Sequence, residues 1–338
     1  MSDNNSTVGD NPIDAVILWV DGSDRALAEK RARYLALENI TGAHPGALPL
    51  RFASSGEIRY CILSILKFAG FIRNIYLVTD GQDPGLDEEI KSKFPEKAGC
   101  LKIVDHKEIF RDYERYLPTF NSSSIHSMIW RIKDLSERFV YLNDDEILIR
   151  EHSEEDWFTG NRPVLMGRWL LPPWRRYAIS KLKVLINKHL LNNNDYRPRI
   201  SFFIRQWKSA SLLGFRRRYF FHDHSPHPFN KKTLEEYFSL NPGILEKTIS
   251  YRFRDPGQVL VSSLAYHLEI LNGNHNFRKI RLGYFHPYYQ NWRLDSRLRR
   301  CSKDPRIKSV CIQNIEMLSQ PVREKIVSFI DSVLNLEA

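Results

Sequence analysis

At residues 143–146 the chain reads Asn143-Asp144-Asp145-Glu146, an amide and three carboxylates placed where the apolar run 139–142 stops. Oxygen donors at the carboxyl end of a buried strand suit a hard divalent cation, which takes one or two carboxylates and completes its shell with substrate phosphates. The same four residues also make an Asx-rich turn that closes a strand, and both readings stand. A second turn, Asp21-Gly22-Ser23-Asp24, ends the apolar run 13–20 and precedes a helical pattern over 26–38. Free backbone N–H groups at such a helix start can hold phosphates, although any α/β crossover looks alike and Asp24 reads best as a helix cap.

Chemistry at strand ends requires strands, and the runs 13–20, 75–79, 101–104 and 139–142 are each near-continuously apolar and each stop in polar residues. That pattern predicts buried parallel strands. Helical spacing alternates with them, most clearly over 56–68, where Ile58, Cys61, Ile62, Ile65 and Leu66 share one side. The predicted fold is α/β, a mostly parallel sheet with helices on both faces and a polar rim at the strand ends.

With 338 residues, 42% hydrophobic, the chain can bury a substantial core. No apolar run approaches the roughly 20 residues of a transmembrane helix, and residues 1–11 lack the pattern of a signal peptide. A cytoplasmic protein is expected, with 1–11 disordered. Cys61, Cys100, Cys301 and Cys311 have no CxxC spacing, which predicts reduced thiols and no structural metal. The net charge of +10 concentrates in 175–188, 216–218 and 293–303. Solvated faces explain such clusters, as would a phosphorylated donor, an anionic polymer or an acidic membrane surface. No signature of nucleic-acid binding is present.

The segments WVDGSD at 19–24, GEIRYCILSI at 56–65, FIRNIYLVTDGQ at 71–82, LPTFNSSSI at 117–125 and FVYLNDDE at 139–146 resemble, in that order, the Stealth family of hexose-1-phosphate transferases. The likeness continues at His224-Ser225-Pro226-His227-Pro228 and at Phe253-Arg254. It implies a Rossmann-like or GT-A-like catalytic core over 12–338. Residues 12–150 would hold the nucleotide sugar and metal, 151–215 would be a variable insertion, and 216–338 would supply a catalytic histidine and arginine. The implied reaction moves a sugar 1-phosphate from a nucleotide sugar, typically a UDP-sugar, to a glycan hydroxyl and releases UMP, building capsular or exopolysaccharide.

Under that resemblance Asp145, with Asp144, would hold Mg²⁺ or Mn²⁺, Arg254 would face the transferring phosphoryl oxygens, and His227 would accept the hydroxyl proton. Asp21, Gly22, Arg51, Arg59, Asn121, Ser122 and Asn143 would contact the donor. From the residues alone, the histidines could cap a turn and Arg254 could be a surface ion pair. Asn121 and Ser122 could serve the donor only if the helix they begin opens on the cleft. Two positions depart from the family by losing a carboxylate: His126 stands where Ile-Glu-Ser is usual, and Gln313-Asn314 where the fourth region ends in Asn-Asp.

Within 151–215, Ile179, Leu182, Leu185, Ile186 and Leu190 repeat at helical spacing in a cationic stretch. Packing on the catalytic sheet is the expected role; an acceptor element, or peripheral contact with the inner membrane surface, is the alternative. Two further function classes stay open: a metal-dependent glycosyltransferase that releases UDP, and a non-catalytic binder of anionic polymer.

Overall fold

A computed structural model describes residues 11–40, 46–48, 52, 55–193, 196, 198, 201–287 and 293–336. Of the segment expected to be disordered, residues 1–10 lie outside the described residues, while Asn11 donates a side-chain hydrogen bond to Asn161. The first half runs β1 (Ile13–Leu18), α1 (Arg25–Leu37), α2 (Glu57–Phe68), β2 (Ile72–Thr79), α3 (Asp87–Lys93), β3 (Leu101–Asp105), α4 (His106–Ile109), α5 (Ser122–His126) and β4 (Arg138–Asn143). The four strands are parallel, in the order β4, β1, β2, β3, as their apolar runs require when both faces are covered.

A fifth strand, His227–Asn230, pairs antiparallel with β4 at the sheet edge, with His227 opposite Tyr141 and Pro228 opposite Val140. An edge position tolerates a proline, which has no N–H to give a ladder. Buried Asp14 on β1 sets the other end of the sheet. Its carboxylate accepts from both Nε and Nη2 of Arg73 on β2 and from the backbone of Asn74 and Ser136, so an otherwise costly charge ties β1 to β2 and to the segment that leads into β4.

Helices cover both faces. One face packs α2 and the C-terminal helix Gln320–Leu334 around Ile62, Ile65, Leu77 and Leu142. The other packs helices Lys231–Leu240, Pro242–Ile249 and Val261–Leu271 around Val16, Phe139 and Tyr141. From β1 the chain moves outward to β2 and β3, then returns to place β4 on β1's other side. The carboxyl ends of β1 and β4 therefore flank the point where strand order reverses, with Leu18 in register with Asn143. Such a crevice is where open α/β sheets place ligands.

After β4 the chain turns at Asp144-Asp145 into β5 (Glu146–Leu148), which leaves the main sheet and pairs with Ser309–Ile312. Two helices of the middle stretch follow: α6 (Trp174–His189) and α7 (Phe202–Leu212).

Candidate active site

The acidic turn is both things its sequence allows, a turn and one end of a cavity. Glu146 is fully buried and turned back on the strand, accepting from Asn143 Nδ2 at 2.7 Å, while Tyr141 Oη donates to Asn143 Oδ1 at 2.9 Å. Ile312 N donates to the Asp145 carbonyl, so two sheets clamp the turn. Asp144 and Asp145 are left facing a cavity of about 600 Å³, and Asp145 Oδ1 is buried without a hydrogen-bond partner. Burial first, then mutual repulsion, pushes both aspartates well above the usual carboxylate range, and burial lifts Glu146 to about 8. Glu57 adds to that repulsion and lines the same space. Burial and repulsion therefore favour the protonated form of Asp144, Asp145 and Glu146 as the site stands.

Cations and imidazoles form the opposite wall. Arg254 lines the cavity and donates to Ser122 Oγ, and burial followed by repulsion from Arg205 lowers its pKa to about 10, still fully charged at neutral pH. Arg205, from α7, donates to Ser123 Oγ at 2.8 Å and also lines the cavity. Both arginines thus meet the start of α5, whose first hydroxyls are held in place because Asn121 caps it: Asn121 Oδ1 accepts from Ser123 N, and its Nδ2 donates to Tyr251 O and Gln258 Oε1.

His126, His222, His224, His227 and His286 line the cavity, and burial drives the first four down: His126 and His222 to about 3, His224 to about 4, His227 well below its ordinary value. Neutral imidazoles are the outcome. His227 Nδ1 lies 3.1 Å from Tyr266 Oη. With Nδ1–H donating to that phenol, Nε2 carries the lone pair, the tautomer a proton acceptor needs. His126 stacks on Tyr141 at 3.9 Å, and its Nε2 has no hydrogen-bond partner.

Of the residues expected from sequence, Ser122, Asn143, Asp144, Asp145, His227 and Arg254 come together on this cavity. The rest fall elsewhere. Asn121 is fully buried and acts as a helix cap behind the wall. Asp21 closes its own turn, accepting from Ser23 N and Oγ, and Gly22 is needed because a Cβ there would sit 1.7 Å from the carbonyl oxygen of Phe52. Neither is part of the cavity lining; Val20 beside them is. Arg59, expected at the donor, is instead held by both oxygens of Glu89 at 2.7 and 2.5 Å, an ion pair thirty residues away that leaves its guanidinium committed. Arg51 lies outside the described residues.

Sequence reasoning missed Arg205, Phe202, His222 and Glu316, all on the cavity. Glu57, at the start of α2, lines the cavity as well. Gln313 and Asn314 line it too, with Gln313 accepting from Tyr284 Oη and Asn314 in the left-handed region at φ 51°. Among the described residues, no group of three or more His, Cys, Asp or Glu side chains is arranged to hold a metal ion unaided.

Residues 11–37 match the model of Stealth protein conserved region 1, and residues 51–165 that of conserved region 2. An exopolysaccharide phosphotransferase of Lactiplantibacillus plantarum is 30% identical over 272 residues, 77% of this chain and 76% of the relative. The chain belongs to the Stealth family. A second relative, an exopolysaccharide phosphotransferase of Streptomyces coelicolor, is 34% identical over 81% of the chain but only 27% of its own length. The chain spans between about a quarter and two fifths of the Streptomyces coelicolor relatives that cover most of it. A capsular polysaccharide phosphotransferase of Actinobacillus pleuropneumoniae is 31% identical over 63% of the chain and 58% of the relative. Among solved structures, the glycosyltransferase GlyE of Streptococcus pneumoniae overlaps 96% of the chain and 63% of its own at 11% identity and a TM-score of 0.40, too loose a match to carry any chemistry to this site. Of the cavity residues, Ser122 and Asn143-Asp144-Asp145 fall within the stretch that matches conserved region 2.

Proposed function

We propose that the chain is a sugar-1-phosphate transferase, moving a hexose 1-phosphate from a nucleotide sugar, a UDP-sugar in the first instance, to a hydroxyl of a capsular or exopolysaccharide acceptor. One observation carries the reading: a single cavity sets Asp144 and Asp145, the latter with one carboxylate oxygen lacking a hydrogen-bond partner, against two arginines and a neutral histidine. Relatives named phosphotransferases of capsular and exopolysaccharide support it. Residues from 12–150, 151–215 and 216–338 all line that cavity, which supports treating 12–338 as one catalytic unit. Four free, buried cysteines suit a reducing cytoplasm, and among the described residues no helix is long and apolar enough to cross a membrane.

The acceptor hydroxyl oxygen bonds to the sugar-bearing phosphorus as its proton passes to His227 Nε2. The bond from that phosphorus to the bridging oxygen breaks with its electron pair leaving on UMP. Phosphoryl transfer asks mainly for positioning and charge neutralisation. Arg254 and Arg205 face the phosphoryl oxygens, Ser122 and Ser123 hold those arginines, and Tyr266 orients the His227 ring, which serves as base when its proton is on Nδ1. Asp144 and Asp145 fit Mg²⁺ or Mn²⁺, because Asp145 Oδ1 is a buried oxygen donor without a partner and the local acids repel one another. When bound, the ion would neutralise the pyrophosphate and the leaving phosphate.

Incubation with a panel of nucleotide sugars and acceptor glycan, followed by nucleotide chromatography, is expected to show a nucleoside monophosphate. Nucleoside diphosphate as the sole product would mean that the site transfers the sugar without its phosphate. The fourth-region departure gives a further expectation. Asparagine and aspartate both tolerate the left-handed backbone of Asn314, so Asn314→Asp should leave the fold intact. It adds a carboxylate beside Asp144, Asp145, Glu57 and Glu316, and the variant should need less metal for half-maximal activity, by about twofold to tenfold. A metal titration checks this, and a higher metal requirement would place Asn314 outside the ion's reach.

A further inference from the structure

The cationic charge of this chain is not spread over its surface. Between Trp157 and His222 the sequence carries 14 lysines and arginines against one acidic residue, Asp195, and the remainder is near neutral at −3. Within that stretch, α6 is inside out relative to an ordinary surface helix. Its half-buried side is made of Tyr177, Ser180, Val184 and Asn187, while Trp174, Ile179, Leu182, Leu185, Ile186 and Leu190 are exposed. Leu182 and Leu185 are each more than half exposed, Leu190 three quarters, and no α6 residue is buried.

Helical spacing gathers the exposed apolar side chains into one stripe, with Lys181 and Lys188 along one margin and Arg176 and Lys183 along the other. Arg175 stands within the stripe, where a long aliphatic stem with a charged head can lie along an apolar surface. No acidic residue interrupts 174–191. Aromatic contacts hold the helix to the body: the Trp174 and Tyr177 rings meet Trp207 of α7 edge to face at 4.5 and 5.6 Å, and Arg176 lies over Phe203. The stripe is therefore presented by a braced helix.

We propose that α6 docks the protein in the plane of an anionic lipid bilayer, its apolar stripe in the acyl boundary and its lysine margins on the headgroups. A 16-residue helix is about 24 Å long, too short to span but long enough to lie in the interface. Charge complementarity selects the occupant: a second copy of the chain would set one cationic rim against another, whereas anionic headgroups attract each basic residue near the surface. The face connects directly to the cavity, because α7 bears Trp207 under α6 and Phe202 and Arg205 on the cavity wall. The inference holds whichever reaction the cavity performs.

The test is flotation of the full chain with phosphatidylcholine vesicles, with and without one third phosphatidylglycerol, over a salt series. The expected result is binding to the anionic vesicles at low salt, about tenfold or more above pure phosphatidylcholine, and weakening as salt rises. Two variants attack different halves of the surface: Leu182→Gln with Leu185→Gln and Ile186→Gln, and Lys181→Glu with Lys183→Glu and Lys188→Glu. Each should lose binding about tenfold or more while keeping the wild-type melting temperature, since every altered side chain is exposed. If one variant misfolds, the other decides. Absence of flotation, equal flotation with neutral vesicles, or wild-type flotation of a folded variant overturns the proposal. So does concentration-dependent dimerisation abolished by the glutamine variant without vesicle binding, or retention by soluble alginate in place of vesicles.

Discussion

Asp145→Asn is expected to lower turnover by about a thousandfold or more while the chain stays folded and, in EDTA, melts at a higher temperature. The two halves of this result have one cause. Asp145 sits beside Asp144 and Glu146 with one carboxylate oxygen buried and unpartnered, and burial with mutual repulsion holds the acids well above their usual range. Unfolding lets each carboxyl ionise freely near pH 4, so between that value and the raised folded value, rising pH favours the unfolded chain. Asparagine is nearly isosteric and uncharged. It removes that penalty, which is worth on the order of 1–3 kcal/mol without metal, and with it the oxygen charge that a divalent ion requires. Turnover with excess Mg²⁺ or Mn²⁺ and thermal melting with and without EDTA measure both. Wild-type turnover in EDTA, or an active asparagine variant, would remove the metal from the account.

His227→Ala is expected to cost about 10² to 10⁴ in kcat with donor affinity nearly unchanged, the range that general-base removal usually spans. Its ring is fixed by Tyr266 and kept neutral by burial and by repulsion from His222, His126 and His224. The pH profile follows from that direction. A lowered histidine value means that the base is already unprotonated at pH 6.5 and takes up a proton only on further acidification, so at saturating metal the rate should stay level through the ordinary histidine range and fall below it. A titration-like rise centred near 6.5 would instead mark an imidazole open to solvent. Equal loss of donor affinity and kcat would make His227 a structural member of the edge strand.

The parallel sheet was legible because its four strands are near-continuous apolar runs, and the acidic turn because carboxylates at the end of such a run have few inexpensive explanations. Asp24, read as a cap, accepts from Ala26 N and Leu27 N at the head of α1. What sequence did not yield depends on partners distant along the chain. Arg59 looked free at a helix start until folding brought Glu89 to it. His227 lies between prolines that suggest a turn, yet an edge strand accepts Pro228 without losing a needed donor. Arg205 was hidden because one cation in an aromatic amphipathic helix gives no sign of which face it will occupy. In α6 the apolar period was legible but its direction was not: packing on the sheet was the expected role, and the stripe faces outward because Tyr177 commits the helix's other side to Trp207.

The proposed reaction class is most directly tested with a donor carrying ¹⁸O in the bridge between the anomeric carbon and its phosphorus. Attack on phosphorus never breaks the bond from the anomeric carbon to that oxygen, so the account predicts label and phosphorus together in a product phosphodiester, seen by ³¹P NMR, with the donor's anomeric configuration retained and UMP unlabelled. Label recovered on released UDP, with no phosphorus in the glycan product, would contradict it.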